Sequence, residues 1–256
     1  MIKLITRCDD AGSSRSANLA IARVMKAGLV RNVSLMAPCA YIEEFAAASK
    51  DARGVTFGMH ATLNAEWDKV KWKPLTRASE RLTDADGYFL PDPRMFLKTK
   101  PTVSEIIAEY EAQYWKLSSL GFNARYIDSH MLPELFVPGL LDATDEFSKR
   151  FNLINHVYYY DLPGADFMKH PKRYDGRQLF IVAHPSLDTP ETRLTGNQSV
   201  SGAKVAKARA RETRTLSSPL TRWFFRRNGI EPVSYEQAVP GGDAFIRGKV
   251  EYEGPR

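Results

Sequence analysis

A chain of 256 residues with 43% hydrophobic and 26% charged side chains lies far from the disordered and collagen-like extremes and can enclose one large α/β core, although two small domains would also fit. No run reaches about 18 uninterrupted apolar residues, so no membrane-spanning helix is expected, and residues 1–7 read as an apolar strand rather than a leader, which gives the expectation of a cytoplasmic, unprocessed protein. The net charge of +6 gathers at Lys204, Lys207, Arg209, Arg211, Arg214, Arg222, Arg226 and Arg227; with no nucleic-acid motif beside it, the run reads as the solvated face of a C-terminal helix, attraction of an acidic sugar being a weaker use.

Residues 2–6 read as the first strand and 16–28 as a helix with apolar positions at Leu19, Ala20, Val24 and Ala27, ended by Gly28. A second strand is expected at 33–37, a helix at 42–49, a third strand at 54–59, a helix at 103–120, and further strands at 125–128, 153–160 and 178–183. Alternating strands and helices predict βα units around a parallel sheet. Residues 64–101 break the pattern with Trp67, Trp72, Pro74, Gly87, Tyr88, Pro91 and Pro93, and a loop insertion of this length is uncommon unless functional. Gly241 and Gly242 suggest a mobile tail from about residue 240. With no internal repeat or linker, residues 1–256 are taken as a single domain. Cys8 and Cys39 make neither a disulfide framework nor a CxxC pair and are expected as reduced core or strand-end residues.

Four polar clusters each follow a predicted strand: Asp9-Asp10, Gly58-Met59-His60, Asp128-Ser129-His130 and Ala183-His184-Pro185. In a parallel barrel the C-terminal strand ends open onto one face, so residues distant in sequence converge there. Asp10, His60 and His130 offer one carboxylate and two imidazoles, a set suited to a borderline divalent ion with water completing its shell. A lone strand-end histidine is more often structural; three such positions with an Asp pair favour a metal. Adjacent strand residues point to opposite sides, so Asp9 and Asp10 share a centre only if the chain turns, which the Ala11-Gly12-Ser13-Ser14 run permits. The competing reading of the pair is an Asx turn capping the next helix.

The segments CDDAGSSRSANLAI, FGMHATLNAEW, YIDSHM and VAHPSLDTPETR resemble, in order and spacing, the four motif blocks of the YdjC family of carbohydrate deacetylases. EWDKVKWKPL followed by LTDADGYF is similar to one branch, and ARETRTLSSPLTRWFFRRNGIEPVSY resembles the family's closing helices and last strand. The resemblance implies an α/β fold, a distorted TIM-like (β/α) barrel in a single domain, that hydrolyses the acetamido group of a saccharide with one divalent metal ion, Mg or Zn. By motif position, Asp10, His60 and His130 are the implied metal ligands, Asp9 the general base, and His184 a second catalytic histidine able to donate to the leaving amine. The expected partners are a small-molecule saccharide and at most a second copy in a homodimer, with no nucleic acid and no membrane.

The chain departs from the family pattern in three places. Met131-Leu132-Pro133-Glu134 stands where many members carry further histidines, Arg7-Cys8 where small residues are common, and Ser186 where glycine is usual. Trp67, Trp72, Tyr88, Met131 and Arg193 are the candidate substrate contacts. The three aromatics either stack on a sugar ring or pack the loop, and Arg193 either meets substrate, orients Asp9 or is an exposed loop residue. Hydrolysis of another N-acyl or amide bond, or a carbohydrate-binding barrel without turnover, are the alternatives; a non-haem iron oxygenase would place this ligand set in a double-stranded β-helix, against the βα alternation.

Overall fold

The computed structural model describes residues 1–77 and 80–241. In them the order is β1 (Ile2–Ala11), α1 (Arg15–Ala27), β2 (Asn32–Leu35), α2 (Ile42–Ser49), β3 (Thr56–Ala61), α3 (Phe96–Thr99), α4 (Val103–Ser119), β4 (Tyr126–Ser129), α5 (Leu140–Arg150), β5 (Ile154–Asn155), β6 (Gln178–Ala183), α6 (Gly202–Leu216), α7 (Pro219–Arg227) and β7 (Ile230–Val233). The sheet runs β5-β4-β3-β2-β1-β6, with β7 also on β1, and every strand pairing is parallel.

Strand alternation sorts β1 into two environments. Ile2 and Leu4 pack with Leu29, Leu179 and Phe225, and Cys8 with Ile21 and Val24 of α1, all under the helices. Ile5 turns the other way, into a barrel core with Tyr126, Phe180, Val233 and Tyr235. Gly58 is required there, because a Cβ on it would lie 2.4 Å from the Tyr126 ring.

β7 flanks the first half of β1 and β2 the second half, and the buried Asn32 seals the fork. Its Nδ2 donates to Thr6 O at 3.0 Å and Val233 O at 3.2 Å, while its Oδ1 accepts from Tyr235 N at 3.0 Å. At the opposite edges β5 and β6 form no ladder; Phe180 N donates to Asp161 O at 2.8 Å across the gap. The result is a curved, incompletely closed barrel, the distorted TIM-like form in a single domain.

The expected strand at 153–160 shortens to two residues. After Ile154–Asn155 the chain winds into a 3-10 turn over His156–Tyr159, with Asn155 Oδ1 accepting from Val157 N, so β-favouring tyrosines line a turn instead of a ladder. β1 extends to Ala11, and α5 is an element absent from the expectation. The loop after β3 is ordered by its own packing: Trp72, Leu82, Phe89, Leu90 and Phe96 are buried, and the carboxylate of buried Glu109 accepts from the Leu75 and Thr76 amides. Both cysteines are free and buried. No helix among the described residues is long and apolar enough to cross a membrane. The tail expected from about residue 240 lies, beyond Gly241, outside the described residues.

Candidate metal centre and active site

The pairing of β1 with β2 slips between Cys8 and Ala11, and Asp10 takes φ +69°. That left-handed conformation, which Asp tolerates better than most residues, is what brings two consecutive carboxylates to one site. Gly12 completes the turn at φ +96°, its N–H donating to Asn18 Oδ1 at 2.8 Å. The cap of α1 is Ser14, whose hydroxyl accepts from Ala17 N, so the Asp pair is not the helix cap.

Register explains the next contact. His60 and Asp128 are partners across β3 and β4, and His60 Nδ1–H donates to Asp128 Oδ2 at 2.6 Å. His130, just past β4, donates Nε2–H to Glu66 Oε2 at 2.9 Å. With the outer nitrogen of each ring committed as donor, the tautomers of the neutral rings follow from the network, and His60 Nε2 and His130 Nδ1, each bearing a lone pair when its ring is neutral, face each other at 3.2 Å. Asp10 Oδ1 stands 3.7 Å from the first and 3.8 Å from the second, buried and without a hydrogen-bond partner. Its Oδ2 is taken by Arg209 Nη1 at 2.8 Å.

Three inward lone-pair donors within 4.8 Å of one another, with the far side of each imidazole on a carboxylate, fit a divalent cation. Charge agrees. Asp9, Asp10, Asp128 and Glu66 carry four negative charges against the two of Arg7 and Arg209, leaving two positive charges to be supplied. Burial alone would lower the His60 pKa, but Asp128, Asp9 and Asp10 push it up to about 9, so in the ion-free protein a proton occupies part of the cation's place.

Below this floor lies Arg7. Its Nε and Nη2 bind Asp9 Oδ1 and Oδ2 at 2.7 and 2.8 Å, Nη2 is 3.3 Å from Asp128 Oδ2, and Nη1 meets Tyr235 Oη and His156 Nδ1, each at 3.2 Å. His156 can accept because burial and Arg7 push its pKa down to about 3, keeping it neutral. His184 Nε2 stands 4.0 Å from Asp9 Oδ2, and its backbone N–H is fixed by Glu212 Oε2 at 2.7 Å.

Asp9, Asp10, His60, His130 and His184 floor a cavity of about 570 Å³ walled by Trp67, Met131, Tyr160, Val182 and Val205. Asp9, Asp10, His60, His130, His184, Trp67 and Met131 therefore come together. Trp72, Tyr88 and Arg193 do not. Trp72 is buried behind His130, ring centroids 6.0 Å apart, with its indole N–H on Asn64 O. Tyr88 lies under Lys71 and Lys73, and Arg193 pairs with Asp188 at 2.7 Å.

The sequence profile of the YdjC-like protein family matches residues 3–160. The chain belongs to that family. It is 23% identical to "Carbohydrate deacetylase 2" of Listeria innocua serovar 6a over 91% of this chain and 98% of that one. A "Carbohydrate deacetylase" of Thermoanaerobacter pseudethanolicus is 30% identical over 59% of this chain, and the matched part spans 58% of that relative's length. In three dimensions, a solved protein of Enterococcus faecalis V583 named for cellobiose-phosphate cleavage superposes with TM-score 0.74 at 19% identity, covering 91% of this chain and 97% of the other, a likeness of fold.

The matched stretch supplies Arg7, Asp9, Asp10, His60, Glu66, Asp128, His130 and His156, whereas His184, Arg209 and Glu212 come from beyond it. Sequence reasoning missed Arg209 by reading it within a solvated charge run. The run occupies two helices, α6 and α7, and Arg209 alone of its eight residues is not exposed, since it turns in to Asp10. Asp128 could have been found from strand alternation, being two residues before His130. Glu66 lies inside the FGMHATLNAEW block but on no strand, so alternation does not point to it, and His156 lies outside the four blocks.

Proposed function

We propose that this protein is a divalent-metal-dependent hydrolase that removes the acetyl group from an acetamido sugar or oligosaccharide. The observation that carries the reading is the convergence of Asp10 Oδ1, His60 Nε2 and His130 Nδ1, each ring backed by a carboxylate. A divalent ion held there, Mg or Zn, would polarise the acetamide carbonyl and acidify a water. Two imidazoles among three ligands favour zinc.

The chain's own residues would do the rest. Asp9, aimed by the two-point clamp of Arg7, keeps a second lone pair on each oxygen and takes a proton from the attacking water. As the C–N bond breaks, protonated His184 gives its Nε2 proton to the departing sugar amine, leaving acetate and a free amino group. The saccharide lies along the wall formed by Trp67 and Met131, a placement supported by the names of the relatives and by the shape of the cavity.

The test combines metal analysis of purified protein with acetate release from N-acetylglucosamine oligomers. His60→Ala and His130→Ala should each lower bound metal and abolish release while remaining folded. Unchanged metal content in both variants would sink the assignment.

A further inference from the structure

His130 is the ligand least constrained by the sheet. It lies one residue past β4, and the two residues after it, Met131 and Leu132, both have positive φ (+60° and +52°). Its backbone N–H reaches Ala61 O at 3.0 Å, but nothing in the ladder decides which ring nitrogen faces the centre. That choice matters. If the ring carried its hydrogen on Nδ1, that N–H would point at His60 Nε2, 3.2 Å away, and His130 would have no lone pair to offer the ion. The Glu66 carboxylate forbids this by accepting Nε2–H at 2.9 Å.

Glu66 is itself tied down from outside the barrel. Asn197 Nδ2 donates to its carbonyl at 3.1 Å, and Asp68 N donates to Gly196 O at 3.0 Å, pinning this loop to the segment that leads into α6. The next residue, Trp67, has its ring 5.8 Å from the Arg209 guanidinium, which in turn occupies Asp10 Oδ2 at 2.8 Å and leaves Oδ1 facing inward. Two adjacent residues thus support two different ligands.

We propose that Glu66 and Trp67 are positioning residues of the metal centre: Glu66 selects the nitrogen that His130 presents, and Trp67 holds Arg209 against Asp10. The proposal rests on the metal reading above, and its test separates the two. Zn²⁺ alone is titrated calorimetrically into the metal-free full-length protein, with His60→Ala as the control that should lose the site. Glu66→Ala should weaken Zn²⁺ binding by roughly 10- to 100-fold, the usual effect of removing a ligand's outer carboxylate. Glu66→Gln keeps an oxygen that accepts Nε2–H and should recover most of the affinity. Trp67→Ala should weaken binding in the same direction, and Trp67→Phe, which keeps an aromatic face under the guanidinium, should stay near wild type.

A merely structural role would lower the melting temperature of the metal-free protein and leave the affinity of the folded fraction alone. The positioning role predicts the reverse, and long-range ¹H–¹⁵N spectra of the His130 ring should show hydrogen on Nε2 in wild type and a mixture in Glu66→Ala. Wild-type affinity in Glu66→Ala overturns the Glu66 assignment even when His60→Ala has lost the ion, and wild-type affinity in Trp67→Ala does the same for Trp67. If His60→Ala binds as wild type does, the metal reading falls and this proposal with it.

Discussion

Glu134 is buried behind β4, where it accepts a hydrogen bond from Ser129 Oγ while its second oxygen has no partner. Burial is the main cause that raises its pKa to about 7, against the opposing Ser129 hydrogen bond and with help from Asp128. Because the folded value lies above the ordinary value of 4.5, the neutral acid contributes stability that is fully present below pH 4.5, is lost as pH rises through 7, and is constant above that. The span between the two values corresponds to about 3 kcal/mol, a large share of a typical domain's stability. Glu134→Gln cannot ionise. Urea unfolding of both proteins at intervals from pH 4.5 to 8.5 should therefore show the variant gaining on wild type by an amount that grows toward about 3 kcal/mol and then levels. Other titrating groups cancel in the difference. Parallel curves for the two proteins would refute the placement of a protonated acid here.

Asp9→Asn should retain Zn²⁺ while losing roughly 10²-fold or more in rate, the usual worth of a general base, whereas Asp10→Asn should weaken the metal; equal metal loss in both would show the two roles are not separable. Arg7→Met leaves Asp9 and Asp128 buried without their cation and should cost about 3–5 kcal/mol in urea unfolding, and a loss under 1 kcal/mol would mean the guanidinium is not what balances them. His184→Ala should keep metal and lose kcat per folded, metal-loaded molecule; near-normal turnover on that basis removes it from the mechanism. Since the His60 pKa is raised to about 9 in the ion-free protein, Zn²⁺ binding at pH 7.5 should release close to one proton, seen by calorimetry in buffers of different ionisation enthalpy, and release near zero would contradict that protonation.

Much of the site was legible because its residues end strands. Asp10, His60 and His130 could be gathered by barrel topology alone, and the adjacency of Asp9 and Asp10 demanded a turn; the bulge with Asp10 at positive φ is that turn. Local pattern served less well where a long-range partner decides. Leu153 to Tyr160 has strand composition, yet Asn155 finds a better use for its side chain in bonding Asp145 and Val157, and the chain turns after two residues. The periodicity of α6 marks a basic helix but not which arginine points inward, since Arg209 is selected by a carboxylate on β1. Trp72 could not be told from a sugar-stacking residue because its burial against His130 depends on how the long loop folds back.

Electrostatics explains why the pieces cohere. A barrel interior that gathers Asp9, Asp10, Asp128 and Glu66 around two imidazoles would be strongly destabilised by repulsion if nothing positive joined them. Arg7 and Arg209 supply half of the compensation from opposite sides, one on β1 beneath the floor and one on α6 at the rim, and neither can move into the central space because each is held by a carboxylate and an aromatic ring, Phe180 and Trp67 respectively. The remaining charge has to be small enough to lie between His60 Nε2, His130 Nδ1 and Asp10 Oδ1. A proton on His60 meets that condition for one unit of charge, in keeping with the upward push of Asp128, Asp9 and Asp10 on its pKa, and a divalent ion would meet it for two. The arginine at the rim comes from beyond the stretch matched by the family profile, so the charge balance at the centre depends on the C-terminal helices closing over the motifs that first reveal it.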